Sequence, residues 1–271
     1  MLFQELQSIL IYKLSPKKYK LDSEIYGLQY ITKSINKLIK KVMLTIDLSI
    51  EALHYALKNK VSLIISHHGL VNNPINIFNQ NLINKLILLN KYPISIYVLN
   101  SSFTAAEGGV SDTLASSLYL NIDNTFEIKN NKGTKIPIGR ICTPKNYLNN
   151  VQKITLEELI KRIKINLNLT HIIYVGNLKK QIKKICLVGG DSSSVKYLKK
   201  ALKLGCDCYI SGKIDYFDAI FGRETGLSLI ETSHYEVEIL ALKKLSNILS
   251  LEFPYTEFTV FDSGNPFHVI L

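Results

Sequence analysis

No stretch of this 271-residue sequence strings together the roughly 18 uncharged apolar residues that a membrane-spanning helix needs, so no membrane partner is expected. The first residues, Met1-Leu2-Phe3-Gln4-Glu5-Leu6, have neither the basic start nor the small-residue cleavage site of a secretory signal, and the expected location is cytoplasmic. Cysteine is scarce: Cys142, Cys186, Cys206 and Cys208 form no CxxC pair, which reads as buried free thiols in a reducing compartment. Neither GxxxxGK[ST] nor a complete GxGxxG occurs, so the common phosphate-loop and dinucleotide fingerprints are missing. No short-period repeat organises the chain.

What is present fits a folded protein able to bury a substantial core, with 46% apolar and 20% charged residues. The formal charge of +11 raises the question of nucleic acid. The lysines, however, are scattered in ones and twos among Ile, Asn and Tyr. That is a compositional bias rather than a binding stripe, so weak non-specific attraction to polyanions is expected and a specific nucleic-acid partner is not.

Apolar positions Leu2, Leu6, Ile9, Leu10 and Leu14 predict an amphipathic helix over 1–15, ended by Pro16. A strand over 42–46 ends at Asp47, and Ser49 with Glu51 opens a helix over 50–59. Strand 62–66, helix 74–90 and strand 94–99 follow, with a polar glycine-containing turn leading to helix 111–120. Residues 121–135, rich in Asn, Asp and Lys, read as a connection and a change of lobe. Beyond them come a strand over 136–142, a helix from Thr155, and the strand-and-turn Lys184-Ile185-Cys186-Leu187-Val188-Gly189-Gly190-Asp191-Ser192-Ser193-Ser194 leading into a helix. The amides at that helix start suit an anion, and a tight structural turn explains the glycines equally well. Strands at Cys208–Ser211, Ser228–Glu231 and 256–261 alternate with helices running through Arg223 and to about residue 249. Strand–helix–strand order predicts parallel α/β units, whose ligands bind outside the carboxyl ends of the strands.

Two strand ends carry the chemistry. Leu63-Ile64-Ile65-Ser66 runs into His67-His68-Gly69, two of only six histidines in the chain. His234 and Glu238 lie four apart at the start of a predicted helix and share one face. Three imidazoles and one carboxylate make a shell for one divalent cation, Zn, Mn or Fe. The competing reading of the same residues is capped core or surface histidines.

The ordered segments Gly27-Leu28-Gln29, Asp47-Leu48-Ser49, Ser66-His67-His68-Gly69, Ala105-Ala106-Glu107-Gly108-Gly109-Val110, Ile210-Ser211-Gly212, Ser233-His234-Tyr235 with Glu238, and Asn265-Pro266-Phe267 resemble the Nif-three-like family, catalogued in part as GTP cyclohydrolase I type 2 homologues. The resemblance covers nearly the whole chain, in the short form without an inserted domain. It implies a single Nif-three-like unit over 1–271 made of two α/β lobes, about 1–125 and 126–271, with carboxyl-terminal elements packing back on the first lobe. It further implies a dinuclear divalent-metal site in the cleft between the lobes and a toroidal homohexamer acting on an unknown small molecule. His67, His68, His234 and Glu238 match the family's metal ligands; no catalytic base is singled out. The family's histidine-threonine-asparagine-leucine-aspartate run, whose aspartate bridges the metals, is here Asn100-Ser101-Ser102-Phe103-Thr104. Lys213 replaces an expected aspartate, Phe217 a histidine and Ser233 a glycine. A neutral Thr104 hydroxyl supplies no negative charge to hold two dications together, so at most one ion per chain is expected. The functions implied are a metal-dependent hydrolase acting on a nucleotide or phosphoester or, alternatively, a non-catalytic oligomeric scaffold with a degraded site.

Overall fold

Short aliphatic runs set the architecture. Val42-Met43-Leu44 and Leu63-Ile64-Ile65 are buried at every residue, the pattern of parallel strands covered on both faces rather than of half-exposed ones. The computed structural model describes residues 1–22, 24–71, 75–145, 153–190 and 194–269. The chain falls into two compact units, Met1–Phe103 with Ile239–Gly264, and Thr104–Glu238 with Asn265–Leu271.

In chain order the first stretch holds α1 (Phe3–Ile9), β1 (Gly27–Tyr30), β2 (Lys41–Thr45), α2 (Ile50–Lys58), β3 (Leu63–Ser66), α3 (Gln80–Lys91), β4 (Ser95–Val98) and α4 (Ser101–Ala105). The first helix widens into a π-helical turn over Leu10–Leu14 before Pro16. Then come α5 (Val110–Ser117), β5 (Leu120–Lys129), β6 (Lys135–Pro144), β7 (Ile154–Thr155), α6 (Leu156–Asn166), β8 (Tyr174–Val175), β9 (Gln181–Ile182) and β10 (Ile185–Val188). They are followed by α7 (Val195–Lys203), β11 (Cys208–Ser211), α8 (Tyr216–Thr225), β12 (Ser228–Glu231), α9 (His234–Glu252) and β13 (Glu257–Phe261).

One five-stranded sheet has the order β1-β4-β3-β2-β13, with β4, β3, β2 and β13 parallel and β1 antiparallel at its edge. Ser49 caps α2 by accepting from the Ala52 amide at 3.1 Å, as its sequence position predicts. Met43, Ile64, Ile96 and Val98 of this sheet join Leu53, Ala56, Leu88 and Leu89 of α2 and α3 in one buried cluster. The six-stranded sheet has the order β5-β6-β10-β11-β12-β8, in which β10, β11 and β12 are parallel. Thr155 and Glu158 form a capping box at the start of α6. The mixed α/β class is thus the expected one.

Three local expectations change. The helix predicted over 74–90 begins at Gln80, capped by the Asn79 side chain on the Leu82 amide at 2.9 Å. Ile75, Ile77 and Phe78 continue the apolar spacing but are exposed, so periodicity alone extended the helix too far; Pro74 lies outside the described residues. The turn expected between strand 94–99 and the next helix contains α4. The connection expected over 121–135 is mostly strand: β5 and β6 form an antiparallel hairpin closed by a turn around Asn130 and Gly133. As an edge strand β5 leaves Asn121–Thr125 in solvent, which is why its sequence looks like a loop.

Candidate metal centre

Parallel pairing delivers the histidine pair. Thr45 stands opposite Ser66, and the ladder runs on past the strand ends, with the His67 amide on the Thr45 carbonyl and the His68 amide on the Ile46 carbonyl, both at 2.9 Å. Ser66 Oγ donates within this turn, reaching the His68 carbonyl at 2.6 Å. His67 is 3% exposed, with its ring edge-on to His68 at 4.9 Å and to Phe103 at 6.1 Å between centroids. His68 Nδ1 lies 2.9 Å from Asp47 Oδ1, two residues beyond the end of β2.

His234 opens α9, immediately after Ser233 in the left-handed region at φ 64°. Its Nε2 lies 2.9 Å from Oε1 of Glu238, one helical turn on, and Glu238 is 1% exposed. A buried carboxylate is costly without such a donor. Two glycines make room for this turn. A Cβ on Gly190, at φ 80°, would sit 3.3 Å from Glu238 Oε1. A Cβ on Gly212 would sit 2.8 Å from the Gly190 carbonyl oxygen and 3.0 Å from His234 Cα. The Gly189-Gly190 turn therefore has a packing reason that needs no bound anion; Asp191, Ser192 and Ser193 lie outside the described residues.

His67, His68 and Glu238 each offer one ligand atom, and these atoms lie within 4.8 Å of one another. Two imidazoles and a carboxylate suit a borderline divalent cation such as Zn, Mn or Fe, so the donor set fits the expected metal. His234, the fourth expected ligand, is joined to the set through its contact with Glu238. Thr104 is buried. Asn100, at φ 46°, turns its side-chain amide onto the Ile25 carbonyl at 2.6 Å, a purely structural task. Lys213 pairs with Asp215 at 3.2 Å, and Phe217 stacks edge-on with Tyr216 on the surface. Asp47, Gly190 and Gly212 fall in segments singled out in the sequence, but nothing there assigned them a task at the site. Parallel pairing of β2 with β3 was the clue available for Asp47, because strand ends in register project neighbouring side chains.

Similarity to known proteins runs along the whole chain. The sequence profile described as Duf34/NIF3 (NGG1p interacting factor 3) matches residues 1–266. A Clostridium perfringens (strain 13 / Type A) protein named GTP cyclohydrolase 1 type 2 homolog is 30% identical over 212 residues, 78% of either chain. A protein of the same name from Methanocaldococcus jannaschii is 26% identical over 239 residues, 87% of this chain and 90% of its own. A solved Bacillus cereus protein related to NIF3 shares the fold, with a TM-score of 0.83 at 18% identity over 98% of both chains. With the profile matched almost from end to end, the chain belongs to the Duf34/NIF3 family.

Proposed function

We propose that this protein binds one divalent cation through His67, His68 and Glu238, with His234 as the fourth member of the set, and uses it for hydrolysis of a nucleotide or phosphoester. The convergence of two imidazoles and a buried carboxylate within 4.8 Å carries the reading. A divalent ion bound there would lower the pKa of a coordinated water and so supply a nucleophile at neutral pH. Glu238 holds the His234 ring at 2.9 Å, and the burial of His67 and Glu238 keeps bulk water from competing for them. The name carried by the relatives suggests a guanine nucleotide as substrate. A toroidal homohexamer in a reducing cytoplasm completes the proposal.

A second reading, a non-catalytic oligomeric scaffold, is favoured by Thr104, which stands where the family resemblance expects a bridging aspartate. Metal analysis of protein purified without chelators separates these outcomes. About one divalent ion per chain is expected, falling to near zero in Glu238→Ala and His68→Ala. A metal-free protein sinks the metal reading. Two tightly held ions would show that Thr104 does not limit the site, and Thr104→Asp should raise the count if it does. Metal-loaded protein that leaves GTP and simple phosphoesters untouched would favour the scaffold.

A further inference from the structure

Asp47 leaves the sheet at the carboxyl end of β2, level with His68 at the end of the parallel neighbour β3. The Thr45–Ser66 register and the continuing amide ladder through His67 and His68 fix this alignment in backbone bonds rather than in side-chain chance. A bond from Thr45 Oγ1 to the Asp47 carbonyl at 3.1 Å ties the Asp47 backbone to the same strand end. The side chain then reaches His68 Nδ1 at 2.9 Å.

A carboxylate at neutral pH only accepts hydrogen bonds, so a bond of this length requires the proton on Nδ1. The neutral imidazole is then committed to one tautomer, with its lone pair on Nε2. The pair is not there for stability. Asp47 is 58% exposed and the His68 side chain 25%, and ion pairs so close to solvent contribute on the order of 0–1 kcal/mol. Nor does Asp47 cap the next helix, a task done by Ser49.

We propose that Asp47 is a positioning residue for the metal centre: it holds His68 in the Nδ1–H tautomer, turns Nε2 toward the cation and raises the ring's basicity as a ligand. Carboxylate–histidine–metal relays of this kind fix ring orientation, and removing the outer partner weakens metal binding by about 10- to 100-fold. The inference rests on the metal-binding reading given above and assigns an outer partner to one of its ligands.

Zinc affinity of the full-length protein, measured by competition with a chromophoric chelator, tests it alongside nitrogen-15 spectra of the histidine rings in metal-free protein. Asp47→Ala should bind Zn2+ about 10- to 100-fold more weakly, with its unfolding midpoint nearly unchanged. Asp47→Asn, whose amide oxygen still accepts from Nδ1, should fall between wild type and Asp47→Ala. In wild type the His68 proton should reside on Nδ1, and in Asp47→Ala that preference should be lost, a change that mere structural support would not produce. Zinc affinity of Asp47→Ala within twofold of wild type, or a wild-type His68 protonated on Nε2 alone, overturns the proposal. Absence of zinc binding by wild type would instead remove the metal reading, and the ring spectra would still decide whether Asp47 sets the tautomer.

Discussion

Burial, more than charge, governs the four cysteines. Desolvation pushes the Cys142 thiol up to about 12 and the Cys206 thiol up to about 11, while Cys186 and Cys208 are raised for the same leading reason. The native protein therefore keeps these thiols protonated where an unfolded chain, with thiol pKa near about 8.5, begins to ionise them. The contribution is fully present below about pH 8.5 and is lost as the pH rises through the folded values. The slope is up to about 1.4 kcal/mol per pH unit for each thiol. Thermal unfolding in reducing buffer should show a falling midpoint between pH 8 and pH 10.5, and a shallower fall in Cys142→Ala. Parallel curves for the two proteins would rule this account out. Buried thiols were legible from the lack of CxxC spacing, and the histidine pair and Glu238 from their positions at strand and helix ends. The contact of Asp47 with His68 was not, because Asp47 stood in the sequence only as part of a matched segment after a strand until the register of its neighbour was known.

At the scale of elements, close approach matters more than propensity around the start of α9. Gly212→Ala would drive a methyl group into the Gly190 carbonyl and His234 Cα, backbone atoms that cannot rotate aside. Overpacking of this kind costs about 1–3 kcal/mol, and the displaced turn carries His234 and Glu238 with it. Gly205→Ala is the matched comparison: φ is 75°, yet nothing lies within 4 Å of the added Cβ. Urea unfolding and zinc titration should show both stability and affinity reduced in Gly212→Ala, and stability alone reduced, by about 1–2 kcal/mol, in Gly205→Ala. Equal zinc affinity in the two variants would sink the packing argument. Interior strands were readable because continuous apolar runs admit few alternatives: Cys208–Ser211 and Ser228–Glu231 have the boundaries their sequences suggest. The β5–β6 hairpin was not readable, since an edge strand needs only one covered side and β5 spends most of its exposed run on Asn121, Asp123, Asn124 and Thr125.

For the whole molecule, none of the described helices is long and apolar enough to cross a membrane. Large apolar side chains nevertheless reach the surface, among them Tyr216, Phe217, Leu251 and Tyr255. Single exposed apolar residues are common, and burial against further copies is what the proposed homohexamer would give them. Light scattering of the purified protein should give the mass of six chains, as the proposed homohexamer requires; a monomer at micromolar concentration would contradict it. Scattered lysines and a charge of +11 should leave only a weak, salt-sensitive attraction to polyanions.

The return of β13 to the edge of β2 bears on how the chain is made. Lys41 pairs with Glu257, so β2 leaves the ribosome long before the strand that covers its edge. Throughout that interval the apolar β2 offers an open edge, the kind of template on which nascent chains mispair. The intervening residues 104–238 can meanwhile fold among themselves, since their own sheet draws only on strands within that stretch. The length of the intervening stretch adds little to the entropic cost of joining the distant strands, because that cost grows only logarithmically with loop length. Vectorial synthesis thus releases β13, the strand that closes the histidine-bearing sheet, only after every strand of the six-stranded sheet has emerged.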